Sequence, residues 1–230
     1  VTLIAVAHGT RAPEGPVVLE SLLAGVRTLL PGVDVRVAYV DVIGPTLSSV
    51  LASVPDGSRA VVVPMFLASG YHVRVDVPSA VAADGGRAIV TPALGPDPAV
   101  VAAVEARLRS ASPDLPSAVV LAAAGSSDES ALAEVSVAAS LLASALARPV
   151  VPAFVTTASP PVPDAVASLR AAGHPRVGVA SYLLAPGLFQ QRLDASGADV
   201  VAPPIGPHPL VAALIAERYR AVTPPADPPR

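Results

Sequence analysis

The sequence predicts an α/β protein of two similar lobes, each a parallel four-stranded sheet flanked by helices, with a cleft between them. Three observations predict this. Short, continuously apolar runs alternate with longer segments of helical period, the pattern of parallel strands covered on both faces. The alternation stops at Ser110–Ser117, a Ser/Pro-rich stretch that reads as a linker, and then starts again. The two halves also match residue by residue, and such a repeat implies a duplication.

The elements follow in order. Thr2–Ala7 is the first strand. Pro16–Leu30 places Val18, Leu22, Val26 and Leu29/Leu30 on one face of a helix, and Pro31-Gly32 stops it. Val33–Val42 is a strand, Pro45–Val54 a helix, and Ala60–Leu67 a strand that runs into the small-residue turn Ser69-Gly70. That turn is expected to present Tyr71, His72 and Arg74, with Asp76 and Pro78 opening a short helix, Val77–Ala83. Arg87–Thr91 is the fourth strand. Asp97 as N-cap and Pro98 at the first helical position open a helix to about Arg109. In the second half, strands fall at Val119–Ala124, Val150–Val155, Val177–Leu184 and Asp199–Ala202. Helices fall at Ser127–Ala147, Pro163–Ala172 and Pro207–Ala221, with a further segment at Gly187–Ala195. The domain boundaries are therefore 1–112 and 117–222, and the Pro-rich tail 223–230 is expected to be disordered.

The repeat is clearest where Leu94-Gly-Pro-Asp-Pro-Ala-Val-Val-Ala-Ala-Val-Glu-Ala-Arg-Leu108 parallels Ile205-Gly-Pro-His-Pro-Leu-Val-Ala-Ala-Leu-Ile-Ala-Glu-Arg-Tyr219. Ala38-Tyr39-Val40 pairs with Ala153-Phe154-Val155, Pro45 with Pro160, Gly70 with Gly187, and Gly9-Thr10 with Gly125-Ser126. The polar residues do not survive the duplication. His8 is matched by Ala124, His72 by Phe189, Asp41 by Thr156, and Arg11 by Ser127 or Asp128 depending on the gap.

Composition narrows the function. The 15 basic and 18 acidic residues give a net charge of -3, and no basic run or stripe is visible, so nucleic acid is an unsuitable partner. Cysteine is absent, which excludes disulfides, thiolate metal sites, iron–sulfur ligation and cysteine nucleophiles, and fits a cytoplasmic location. No run has the ~18 uninterrupted apolar residues of a membrane span. The initial run Val1–Ala7 has no basic flank before it and reads as a strand, not a signal peptide.

His8 ends the first strand, Asp41 ends the second and His72 follows the third of one parallel sheet, so the topology brings two imidazoles and a carboxylate toward one edge. Imidazole and carboxylate are suitable ligands for a divalent first-row metal, and imidazole accepts protons near neutral pH. Each residue also has a plain structural reading. A histidine after a strand can be a hydrogen-bonded filler, Asp41 a turn former, Arg11 and Arg74 solvated charges, and Tyr71 packing. His174 reads as a loop residue and His208 as a helix cap. The phosphate-loop and dinucleotide-fold glycine patterns are absent after the first strand.

Taken together, Ala7-His8-Gly9-Thr10-Arg11, Gly70-Tyr71-His72 followed by Asp76 and Pro78, and Leu94-Gly95-Pro96 resemble the sirohydrochlorin chelatase family, the ATP-independent class II chelatases of the CbiX/SirB type. The resemblance covers both lobes, roughly residues 1–220. It implies insertion of Fe²⁺ or Co²⁺ into sirohydrochlorin, an octacarboxylate tetrapyrrole lying in the cleft, on the way to sirohaem or cobalamin. His8 and His72 would bind the metal or take the pyrrole protons. Asp41 stands where the family usually has glutamate, one methylene longer. Arg11 and Arg74 would pair with substrate carboxylates, and Ser69, Gly70 and Tyr71 would complete the substrate surface. No cofactor beyond the substrate metal is implied, and a monomer suffices because one chain supplies both walls. The competing readings are a tetrapyrrole- or metal-binding protein without turnover, a two-lobe solute binder, and a protohaem ferrochelatase.

Overall fold

The computed structural model describes residues 1–223. The strands are β1 (Thr2–Ala7), β2 (Val35–Tyr39), β3 (Ala60–Pro64), β4 (Ala88–Val90), β5 (Ala118–Ala123), β6 (Val150–Phe154), β7 (Val177–Tyr182) and β8 (Val200–Val201). The helices are α1 (Glu14–Leu29), α2 (Leu47–Ala52), α3 (Val77–Ala83), α4 (Pro98–Ala111), α5 (Glu129–Leu146), α6 (Val162–Ala171), α7 (Leu188–Asp194) and α8 (Pro209–Val222). The strands form two parallel sheets, ordered β2-β1-β3-β4 and β6-β5-β7-β8. Both sheets therefore deliver their carboxyl ends to one edge, with the central strand of each flanked by connections that run opposite ways. That is where an open α/β sheet forms its crevice.

Each strand faces two cores. In β1, Leu3 and Ala5 look inward to the middle of the molecule, while Ile4 and Val6 look outward against Leu47, Val50 and Leu51 of α2. In β5, Val119 and Leu121 look inward, and Val120 and Ala122 meet Val162, Val166 and Leu169 of α6. This alternation, apolar on both sides, explains why the strands read as continuous apolar runs.

The middle layer was not foreseen. α1, α4, α5 and α8 form a single layer between the sheets, and one core cluster runs from Leu3 through Leu23, Val104 and Leu142 to Ile215. The last helix of each half crosses to the other half's sheet. α4 packs on β7 and β8, and α8 packs on β3 and α1. Small residues permit this: Gly178 on β7 lies under Pro116 and the Leu108 side chain, and a Cβ on Gly25 of α1 would sit 3.3 Å from Ala212 of α8. The halves defined by sequence are therefore not two separately cored lobes. The segment read as a linker is the end of α4 and the turn into β5, tied down by Arg176, which donates to the Ser112 hydroxyl at 2.9 Å.

The two crossing helices start on matched caps. The Asp97 carboxylate accepts from the Ala99 N–H at 2.9 Å, and His208 Nδ1 accepts from the Leu210 N–H at 3.3 Å, as the sequence implied. Arg218 of α8 reaches back to Asp97 at 2.9 Å, whereas its repeat mate Arg107 donates to the Ile205 carbonyl at 2.8 Å and stands near His208. Burial first, and then the Arg107 charge, hold the His208 imidazole below its ordinary value.

α5 is the one helix among the described residues whose length and hydropathy match a membrane span. Its Val135, Ala138, Ala139, Leu142 and Leu146 fill the shared core. Ser136, Ser140 and Ser144 on the other side turn their hydroxyls back to the preceding turn's carbonyls. Thr223 caps the end of α8; the rest of the tail expected to be disordered lies outside the described residues.

Candidate active site

A cavity of about 910 Å³ opens along the shared edge of the two sheets and takes its walls from both halves. His8 leaves the end of β1 and lies in the cavity wall beside Gly9, Thr10 and Arg11. Gly9 has φ +97°, and a Cβ there would collide with the Asp41 carbonyl, so only glycine lets the chain turn this tightly after the strand. Gly125 repeats the arrangement with φ +105° against the Thr156 carbonyl. The hydrogen bonds repeat as well. Asp41 N–H donates to His8 O at 3.1 Å and Thr156 N–H to Ala124 O at 3.0 Å; Ala12 N–H meets the Thr10 hydroxyl at 3.1 Å, as Asp128 N–H meets the Ser126 hydroxyl at 3.0 Å. This register settles the alignment: Arg11 lies opposite Ser127.

His72 departs from its expected setting. It does not sit on a free turn: the chain becomes helical at Tyr71, and His72–Asp76 forms one π-helical turn that runs directly into α3. The repeat shows the origin of this turn. Val77, buried against the outer face of the first sheet, lies seven positions after Gly70, whereas Leu193, its buried counterpart, lies six after Gly187. One added residue in a helix is what a π turn accommodates, and such turns concentrate at functional sites.

The His8 and His72 rings meet edge to face with centroids 4.8 Å apart, and Phe66 stacks at 6.4 Å from the His72 ring. His72 Nδ1 lies 2.5 Å from the Asp76 carboxylate, and His8 Nδ1 lies 3.1 Å from the Gly9 carbonyl. A carboxylate and a carbonyl can only accept, so both Nδ1 atoms carry the hydrogen, and the tautomer this selects for the neutral ring has its lone pair on Nε2. Asp76 is a site residue that sequence reasoning assigned only to a helix start. Its signal was the four-residue spacing from His72, hidden by reading that stretch as a turn.

The other expected residues divide. Arg11, Gly70 and Tyr71 line the cavity with the histidines, and Tyr71 is 63% exposed, as is its repeat partner Leu188 at 59%, which lines the same cavity. Arg11 makes no ion pair among the described residues. Asp41, Ser69 and Arg74 do not line the cavity. The Asp41 carboxylate accepts from the Val42 N–H at 2.7 Å, the turn-forming role, and no group of three His, Asp or Glu suited to a metal occurs among the described residues. Arg74, read as a partner for substrate carboxylates, donates within the chain to the Ser69 carbonyl at 2.7 Å and faces Asp128 at 3.5 Å and Glu134 at 3.7 Å, acidic groups of the second half. Ser130 hydrogen bonds hold the Asp128 carboxyl below the usual range.

The second half contributes hydroxyls and apolar groups to the cavity: Ser126, Ser127, Thr156, Thr157, Leu188 and Phe189. Tyr182 lies at the base, its hydroxyl donating to the Leu67 carbonyl at 3.0 Å. Burial, with Glu134 and Asp97 nearby, pushes its phenol far up, so Tyr182 remains a neutral donor.

The CbiX family profile matches residues 2–111 and again 118–222. The chain belongs to the CbiX family. Among solved structures, SirB from Bacillus subtilis with Fe³⁺ superimposes with a TM-score of 0.81 at 23% identity over 95% of this chain and 94% of that one. The sirohydrochlorin chelatase SirB from Bacillus subtilis subspecies spizizenii in complex with cobalt gives 0.79 at 22% identity, covering 95% and 93%. These likenesses establish the two-sheet fold. A sirohydrochlorin cobaltochelatase of Methanococcoides burtonii is 30% identical over 79 residues, a match that spans 33% of this chain and 60% of that relative's length.

Proposed function

We propose that this protein is a sirohydrochlorin chelatase that inserts a divalent metal, Fe²⁺ or Co²⁺, into the tetrapyrrole without ATP. The observation that carries the reading is the His8–His72 pair, two imidazoles 4.8 Å apart, each with Nδ1 engaged, in the wall of a cavity large enough for a macrocycle. Membership of the CbiX family and the activity named for the Methanococcoides burtonii relative support the same substrate.

Metallation exchanges two pyrrole N–H protons for one M²⁺ ion. The two imidazoles serve both sides of this exchange. Two neutral nitrogen donors hold an incoming ion weakly enough to release it to four ring nitrogens, where a closed four-ligand site would retain it. Once the ion has moved, the vacated Nε2 lone pairs accept the pyrrole protons, and Asp76 stabilises the imidazolium formed at His72. Tyr71 and Leu188 at the mouth offer apolar contact to the ring, and Arg11 supplies a cation for a peripheral carboxylate. Asp41 would act through its charge, not as a ligand. The metal is a substrate, no resident cofactor is required, and one chain in the cytoplasm suffices.

The test is anaerobic metallation of sirohydrochlorin with Fe²⁺ and with Co²⁺, followed by absorbance against a no-enzyme control. Acceleration lost in both His8→Ala and His72→Ala supports the reading, and the ratio of kcat/KM values ranks the metals. Ring binding by folded protein with no acceleration for either metal would leave a tetrapyrrole carrier.

A further inference from the structure

The segment that carries His72 is held by the opposite half of the molecule. Three contacts reach it. Tyr182 on β7 donates to the Leu67 carbonyl at 3.0 Å. Glu134 on α5 accepts the Ser69 N–H at 2.5 Å. Arg74, inside the π turn, faces Glu134 at 3.7 Å and Asp128 at 3.5 Å while its Nε closes back onto the Ser69 carbonyl. Together these bracket Gly70, which lies 3.4 Å, measured to its would-be Cβ, from the Ser126 hydroxyl.

The repeat contains its own control. Gly187 approaches Ala12 and Thr10 of the first half as Gly70 approaches Ser126. The buried side of α1 (Gly15, Leu19, Leu22, Leu23, Val26) maps position by position onto that of α5 (Ala131, Val135, Ala138, Ala139, Leu142). On that register Glu134 is matched by Val18 and Asp128 by Ala12. The approach of the segments is thus common to both sides, but the charged latch exists only where the approaching segment carries a histidine. Among the described residues no ion pair joins α7 to α1.

We propose that Glu134 is a positioning residue of the reaction: from the second half it fixes the Ser69 N–H and Arg74, and so sets the π turn and the placement of His72 against His8. This rests on the chelatase reading only for its activity arm. Tyr182 supports the same segment from below. Arg74 serves this latch through its contacts with Glu134, Asp128 and the Ser69 carbonyl.

The experiment compares the full chain with Glu134→Val, the residue type of the first half, and with Glu134→Gln, which retains an acceptor for Ser69 but not the charge. Hydrogen exchange of the Ser69–Asp76 amides is the first readout. In Glu134→Val it should accelerate about tenfold or more while β1 and β5 amides stay protected. The second readout is metallation: kcat should fall about tenfold to a hundredfold with KM changed less than twofold, the loss expected from misplacing a reacting group by about an ångström. In a His72→Ala background the same change should cost nothing further. Glu134→Gln should fall between the wild type and Glu134→Val, and keeps the test intact if the valine variant does not fold. Unchanged exchange in both variants overturns the proposal, as does a rate loss that persists in the His72→Ala background. Wild-type protein that does not metallate would sink the chelatase reading while leaving the exchange result to decide the latch.

Discussion

The two halves share a backbone and differ in chemistry, and the difference shows what each position is for. Where the fold needs a residue, both halves keep it: Gly9 and Gly125 at left-handed φ, Thr10 and Ser126 closing the following turn, and the buried pattern of α1 and α5. Where the proposed chemistry would use one, only the first half has it. His8 and His72 line the same cavity as their repeat partners Ala124 and Phe189. The second half has not become idle. It supplies Tyr182, Glu134 and Asp128 to the segment that carries His72.

The sharpest way to break this comparison is to give the first half the residues of the second. His8→Ala with His72→Phe should remove about 10²–10⁴ of the metallation rate, the range for positioned acid–base groups, while the thermal melt stays near that of the wild type. A melt that collapses instead would make the histidines structural. Next in size are the glycines. Gly9→Ala and Gly125→Ala each force a Cβ against a backbone carbonyl at positive φ, and each should lower stability by about 3 kcal/mol in urea unfolding. A loss confined to Gly9→Ala would show that the halves are not mechanically equivalent.

The crossing helices give a smaller contrast. Arg218→Ala breaks a half-buried pair with Asp97 and should cost about 1–2 kcal/mol, more than Arg107→Ala, whose partner is a carbonyl. Equal losses would remove the distinction. The smallest effect is in pH. The folded-state value of His208 is depressed, so its neutral cap contributes stability that is fully present above about pH 6.5, its unfolded value, and is lost as pH falls through the lower folded value. His208→Asn keeps a cap and should flatten stability between pH 7.5 and 5, whereas an unchanged slope would place the titration elsewhere.

Much of this was legible in the chain. Continuous apolar strands signalled parallel sheets covered on both faces, and the Gly-Pro-Asp-Pro and Gly-Pro-His-Pro stretches signalled capped helix starts. The pairing of His8 with His72 followed from their strand-end positions. Less legible was anything that depends on what packs across the molecule. The Arg74 side chain looked like a free cation because its partners, Asp128 and Glu134, lie more than fifty residues away. Asp76 looked like a helix entry because the π turn that brings it to His72 differs from an ordinary helix start by one inserted residue.

The sequence by itself determined the local conformations and the duplication, because alternation, capping residues and glycine at left-handed positions act over a few neighbours. Only the tertiary structure decided that α4 and α8 exchange sheets, and that a single helical layer joins the halves into one core. Apolar helix faces carry no address: Leu108 and the buried face of α8 state that they must be buried, and the shapes they meet, Gly178 for one and β3 for the other, decide where.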